Sequence, residues 1–348
     1  MTEKRQKTLK KILTVLFVLF TAGVILWTAL SEFNSDDNRA ALSEVTINWR
    51  YLIPAALCWI VAMAAEVTKY AVLMKKTCGR VDWKISAETV LLGRYYDNIT
   101  PFGAGGQPFQ IYYMAKKGVP SAGSAAIPLI GFTSMQFAFI ILALVAFISY
   151  GWKMQINLIK ITSIVGLAFY SFVPVVILLF TFFESWMDKL MHGVAVLLFK
   201  VKLIHDTEET YLKWKKNVSS YAVVTKQTIT DVPLCIVIML LALVYQGGIC
   251  SLPYFIVTAF GGNMDFIYCF VTTLSIYSTI TFIPTPGNAG AAEGSFYAIF
   301  SVLTTGYTFW AMMTWRFFVF YLYIILGLWI NLKHVIRADI RKKFTGKS

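Results

Sequence analysis

Six side chains could bring charge into the apolar stretches of this chain: Glu66, Lys69, Arg94, Asp97, Glu293 and Arg316. An ionised group at the centre of a membrane helix costs about 2.5–3.5 kcal/mol or more, so each should face protein or water. Glu66 and Lys69 are three residues apart on one helical face and can neutralise each other. Arg94 and Asp97 share that spacing but lie beside a break in the backbone. An arginine fork matches phosphate oxygens, which makes Arg94 and Arg316 candidates to grip a lipid phosphate. Glu293 is a candidate to hold an amine or to pair with Arg316, and Asp97 is a second amine candidate. No His, Ser-Lys or paired-acid motif lies within one span, which weighs against acid–base catalysis inside the membrane.

Two stretches must position these groups, and neither can be a straight helix. Residues 281–296 read TFIPTPGNAGAAEGSF. Pro284 and Pro286 each remove a backbone donor, and Gly287, Gly290 and Gly294 weaken any helix that remains. Broken backbone at membrane depth is tolerated only where it is buried in protein or lines a wet cavity. Residues 100–105, TPFGAG, repeat residues 285–290, TPGNAG, as T-P-x-x-A-G. The site candidates beside the charges are therefore Asn98, Thr100, Pro101, Gly105 and Gln107 from the first break, with Pro286, Gly287 and Gly290 from the second. A tight surface turn is the plainer reading of each break taken alone.

Composition sets the class. Hydrophobic residues make up 57% of the 348 and charged residues only 14%, against about 25% charged in soluble domains. The net charge of +13 reflects basic residues bordering apolar spans, which is a topology signal rather than a nucleic-acid surface. The five cysteines (Cys58, Cys78, Cys235, Cys250, Cys269) show no ligand spacing, so free thiols are expected. The three histidines (His192, His205, His334) fall in basic segments and read as surface residues. No metal centre or cofactor is expected, and no P-loop is present to hydrolyse ATP.

The expected fold is an all-α polytopic membrane protein with about six full spans and two broken, re-entrant hairpins. The spans are 12–30, 51–74, 122–149, 158–183, 232–260 and 309–332, and the hairpins are 85–117 and 266–304. The basic segment 1–11 precedes a retained first helix rather than a cleaved signal. Residues 1–183 then form a first membrane repeat plus the fourth span. Residues 184–231 form a cytoplasmic or interfacial amphipathic linker, read as a solvated helix without a role of its own. Residues 232–332 form the second repeat, and 333–348 a basic tail. Basic flanks put both termini in the cytoplasm, the first hairpin entering from inside and the second from outside. Charge parity equally allows 266–304 to cross twice. Span, span, hairpin, span, repeated from the opposite face, is an inverted-topology repeat of the kind found in secondary transporters.

The run Asn98–Gln107, the run Pro286–Glu293, and Arg316 resemble the transmembrane region of the lysylphosphatidylglycerol synthase/flippase family, the multiple peptide resistance factor group. The resemblance covers roughly residues 10–333. Members usually carry an acidic residue near the position of Gln107, and a Gly-Gly-Leu-Gly-like run where this chain has Gly287-Asn288-Ala289-Gly290. The resemblance implies movement of aminoacylated phosphatidylglycerol to the outer leaflet of a bacterial-type plasma membrane, blunting cationic antimicrobial peptides. Full-length members add a soluble lysyltransferase domain. The residues after 331 are too few to fold as one, so transferase activity is not expected of this chain. The expected partners are a membrane phospholipid, a separate synthase and further copies of the chain as a homo-oligomer, with no nucleic acid. The alternatives are an intramembrane lipid-modifying enzyme using Asp97 or Glu293, and a scaffold for a separate synthase.

Overall fold

The computed structural model describes residues 47–150, 157–200, 206–280, 283, 285–300 and 307–345. The expected first span, 12–30, lies outside the described residues, as do Thr281, Phe282 and Pro284 of the second break. The described residues form helices joined by turns and short loops, with no strand among them. The helices are α1 (Trp49–Cys78), α2 (Trp83–Ile99), α3 (Gly106–Lys116), α4 (Ser121–Tyr150), α5 (Asn157–Phe182) and α6 (Glu184–Lys200). They continue as α7 (Thr207–Ile229), α8 (Val232–Ala259), α9 (Phe266–Ile280), α10 (Ala291–Phe300), α11 (Thr308–Arg316) and α12 (Leu322–Thr345).

Local chemistry sets several of these boundaries. The side chains of Asn48, Asp82 and Asp231 accept hydrogen bonds from the N–H groups of Arg50, Ile85 and Leu234, capping α1, α2 and α8. Gly79, at φ 69°, ends α1 by donating to the Lys75 carbonyl at 3.0 Å. Pro233 lies in the first turn of α8, where its missing donor costs nothing.

Among the described residues, four segments are long and apolar enough to cross a membrane: Trp49–Cys78, Ser121–Tyr150, Val232–Ala259 and Thr308–His334. Shorter apolar helices occupy Ser163–Leu179, within α5, and α9. The arms of the two breaks are shorter still. The 17 residues of α2 reach about 26 Å, the 11 of α3 about 17 Å, the 15 of α9 about 22 Å and the 10 of α10 about 15 Å. A hydrocarbon core is about 30 Å thick, so none of the four spans it alone. In each hairpin the arms pack on one another, α2 on α3 and α9 on α10.

The centre of the molecule is the long contact between α1 and α8. Lipid tails are as apolar as leucine, so helices in a bilayer associate through close packing of small residues. A β-carbon on Gly248 of α8 would sit 2.9 Å from the Cys58 carbonyl oxygen and 3.0 Å from Ala62, both on α1. Around this axis the contacts recur: α1 packs on α2 and α4, as α8 packs on α9 and α11. Buried Leu73, Met74, Ile127, Leu252 and Ile256 fill the core between them.

Three expectations need correction. The first break is narrower than residues 98–108. Helix α2 runs through Ile99 and α3 starts at Gly106, with Pro108 accommodated in its first turn. Residues 184–231 are two helices rather than a solvated linker. The second of them, α7, packs against α4 and α5 and buries Ala222, Thr225 and Thr228, small side chains on one face of its C-terminal half that allow close approach. His334 is not a surface residue either. It is half-buried and shares a hydrogen bond with Glu88 at 3.1 Å.

Candidate functional site

The two Thr-Pro breaks adopt one backbone conformation twice. Thr100 (φ −112°, ψ 147°) and Thr285 (φ −109°, ψ 148°) are extended, as the residue before proline must be. The proline is followed by two left-handed residues, Phe102 (φ 57°) and Gly103 (φ 59°) in the first copy, Gly287 (φ 58°) and Asn288 (φ 55°) in the second. Each turn closes from alanine N–H to proline carbonyl, Ala104 to Pro101 at 3.3 Å and Ala289 to Pro286 at 3.1 Å. The left-handed region costs an ordinary L-residue roughly 1–2 kcal/mol, so Phe102 is held there by what surrounds it. The copies diverge one residue later. Ala104 stays near the helical region (ψ −4°), whereas Ala289 turns extended (ψ 144°).

These turns touch each other, and the second also packs on α2. The approach is close at Gly287, where a β-carbon would sit 2.2 Å from the Phe320 ring and 3.3 Å from the Asn98 carbonyl oxygen. Glycine is required there twice over, for its φ and for the space. Pro286 is buried, while Pro101, Phe102 and Ala104 keep an exposed outer face. The hydroxyl of Thr100 is committed to the fold. It donates to the Tyr96 carbonyl at 2.7 Å and accepts from Gly105 N–H at 2.9 Å. Thr285 instead donates to the Ala289 carbonyl at 2.8 Å.

The six charged candidates sort into two closed pairs and one open set. Glu66 and Lys69 are buried and paired at 2.8 Å, and Lys69 also donates to the Gly131 carbonyl at 3.0 Å. Glu293 and Arg316, both buried, pair through the arginine Nε. The second oxygen of Glu293 accepts from Gly290 N–H at 2.6 Å, and Arg316 Nη1 donates to the Gly287 carbonyl at 3.1 Å. That pair clasps the second turn, and the Arg316 guanidinium also lies 4.9 Å from the Phe320 ring centre.

Arg94 and Asp97 are different. Among the described residues neither forms an ion pair within 4.0 Å, and both are half-buried. Arg94 donates to the Met135 sulfur at 2.6 Å and lies 4.9 Å from the centre of the Tyr245 ring. Asp97 accepts one hydrogen bond, from Gly106 N–H at 2.8 Å, at the start of α3. A carboxylate there also complements the helix dipole. Glu66, Arg94, Asp97 and Gln107 all border one small polar cavity of about 10 Å³, room for a single water. Asn98 is half-buried at the end of α2, and its carbonyl lies beside the second turn.

Several residues of this site escaped the sequence reading. Gln110 bridges Tyr70, whose hydroxyl donates to it at 3.1 Å, and the Thr89 carbonyl, to which its amide donates at 3.2 Å. It lies three residues after Gln107, one helical turn further along α3, and that spacing was a usable signal. Gln246 is a lone amide in the apolar run of α8, and it donates to the Met135 carbonyl at 3.3 Å. A buried amide in such a run was a signal too. A further cluster, in which Tyr113 and His334 both bond to buried Glu88, ties the two arms of the first hairpin to α12, 246 residues beyond Glu88. No spacing could reveal it. Among the described residues no group of His, Cys, Asp and Glu could hold a metal ion.

Residues 12–327 match the family described as the lysylphosphatidylglycerol synthase TM region. The chain is also similar to a UPF0104 membrane protein of Archaeoglobus fulgidus, with 26% identity over 291 residues covering 79% of this chain and 85% of that one.

Proposed function

We infer from this site, and from the fact that the chain belongs to the lysylphosphatidylglycerol synthase transmembrane-region family, that it is a lipid translocator. It moves an aminoacylated phospholipid such as lysylphosphatidylglycerol to the outer leaflet, which would lower the surface negative charge that attracts cationic antimicrobial peptides. The reading takes the two halves as an inverted repeat whose re-entrant arms enter from opposite faces, inside for 85–117 and outside for 266–304. The cell membrane, with both termini cytoplasmic, is the proposed setting.

One observation carries the reading: two broken hairpins meet turn to turn beside a cation and a carboxylate that have left each other unpaired. Closed pairs such as Glu293–Arg316 hold backbone in place. An arginine and an aspartate facing one polar cavity can instead receive a zwitterionic headgroup, Arg94 taking the phosphate and Asp97 the amine. The acyl chains stay in the bilayer while the headgroup crosses. The 10 Å³ cavity is too small for a headgroup, so the turns must part during transport, and their shared interface is where they would do so.

The test is headgroup exposure in proteoliposomes, read with an impermeant amine reagent. Arg94→Gln and Asp97→Asn are expected to insert normally and to lower delivery at least tenfold. Wild-type rates in both variants would refute the assignment. Mass spectrometry of lipids from a host expressing this chain would separate the enzyme alternative, because a new lipid species marks chemistry and a changed leaflet distribution marks transport.

A further inference from the structure

A second cavity, of about 200 Å³, lies away from the charged site between α4, α5, α7 and α8. Its walls are apolar, with Ile130 and Phe137 from α4, Ile177 from α5, and Ile238 and Met239 from α8. For comparison, a dry apolar cavity of about 150 Å³ is enough to admit a benzene-sized guest. Four hydroxyls border it, and three are satisfied within their own helices. Thr133 donates to the Leu129 carbonyl at 2.8 Å, Ser134 to Gly131 at 2.8 Å and Thr228 to Val224 at 2.8 Å. The fourth, Thr225, is 2% exposed, and its hydroxyl oxygen has no hydrogen-bond partner.

An unpartnered buried hydroxyl costs about 1–3 kcal/mol, and an apolar cavity does not hold the water that would relieve it. The occupant must therefore be apolar along most of its length and offer one hydrogen-bonding oxygen. Ile177, Leu178 and Met239 on the rim are only half-buried, so a chain can slide in between helices from the lipid side.

We propose that this cavity is a binding site for one acyl chain of a bilayer glycerophospholipid. Its ester carbonyl accepts the hydrogen bond of Thr225. The site does not depend on the translocation reading, since a non-transporting member of the family with this packing would hold the same lipid.

Cys235 also borders the cavity and serves as a reporter. With Cys58 and Cys78 replaced by alanine, the alkylation rate of Cys235 is measured in delipidated protein as dioleoylphosphatidylglycerol is added in mixed micelles. Saturating lipid is expected to slow alkylation about tenfold, and Thr225→Val to shift the half-protecting lipid concentration upward about fivefold. An unchanged rate at saturation overturns the proposal. So does equal protection by a detergent of similar chain length that lacks an ester, or an unshifted midpoint in Thr225→Val. Should Thr225→Val fail to fold, the protection measured in the parent protein, set against the ester-free detergent, decides the matter alone.

Discussion

The Glu293–Arg316 clasp allows a quantitative test of how the second turn is held. Arg316→Met removes the ion pair, the hydrogen bond to the Gly287 carbonyl and the contact with the Phe320 ring. Among the described residues, buried Glu293 then keeps only the N–H of Gly290 as a polar partner. Stranding one member of a buried pair costs about 3–5 kcal/mol. At 1.4 kcal/mol per decade, that is at least a hundredfold in the folded-to-unfolded ratio. Glu293→Gln keeps an acceptor for Gly290 N–H but leaves the guanidinium without its counter-charge, at a similar cost. The double variant strands no charge, so it should be more stable than either single variant, with a coupling energy of about 2 kcal/mol or more. The assay is unfolding in mixed detergent micelles, followed by circular dichroism across all four members of the cycle. Costs that add to within about 0.5 kcal/mol would refute the clasp, because uncoupled sites behave in that way.

Three further outcomes follow from the packing and the surface electrostatics. Gly327→Ala places a β-carbon 2.3 Å from the Tyr95 ring and should cost about 1–3 kcal/mol by forcing α12 off α2. Gly247→Ala meets nothing within 4 Å and should be neutral, or stabilising by up to about 1 kcal/mol, in the same assay. Outside the membrane, Lys76 and then the Leu234 N–H hold the Asp231 carboxyl below the usual carboxylate range. Its stabilising contribution is therefore fully present above the ordinary carboxylate pKa of about 3.9 and is lost as pH falls through the lowered value. The stability difference between the wild type and Asp231→Asn should shrink toward zero on acidification. A difference that persists undiminished at low pH would show that the carboxylate charge plays no part.

Much of this architecture could be read without coordinates, for reasons that are local. Pro101 and Pro286 end their helices because glycines follow at once in each turn, whereas Pro54, Pro128 and Pro253 are accommodated inside α1, α4 and α8. A hydrophobic run of 28 residues such as Val232–Ala259 has one plausible fate in a bilayer. The T-P-x-x-A-G echo was visible because the same strained turn needs the same residue types, with a glycine at either of its two left-handed positions. Which charges close on each other was not visible. Glu66–Lys69 and Arg94–Asp97 have identical spacing, yet one pair bonds and the other does not. What divides them is the neighbourhood, Gly131 beside Lys69 and Met135 and Tyr245 beside Arg94, brought there by other helices. The burial of α7 against α4 was hidden for a similar reason. Its lysines, Lys215 among them, satisfy the pattern of a surface helix while its last turns do not.

The five residues Phe317–Tyr321, directly after Arg316, form a wide π turn inside an otherwise regular helix. In an unbroken α-helix, positions eleven apart such as Arg316 and Gly327 would point within about 20° of each other. One extra residue in the turn swings the lower half round by about 100°. The arginine is thereby free to look toward one partner while the glycine seats against another. That single bulge works as a phase shifter, letting one rod of sequence serve both the second hairpin and the outer flank of the first.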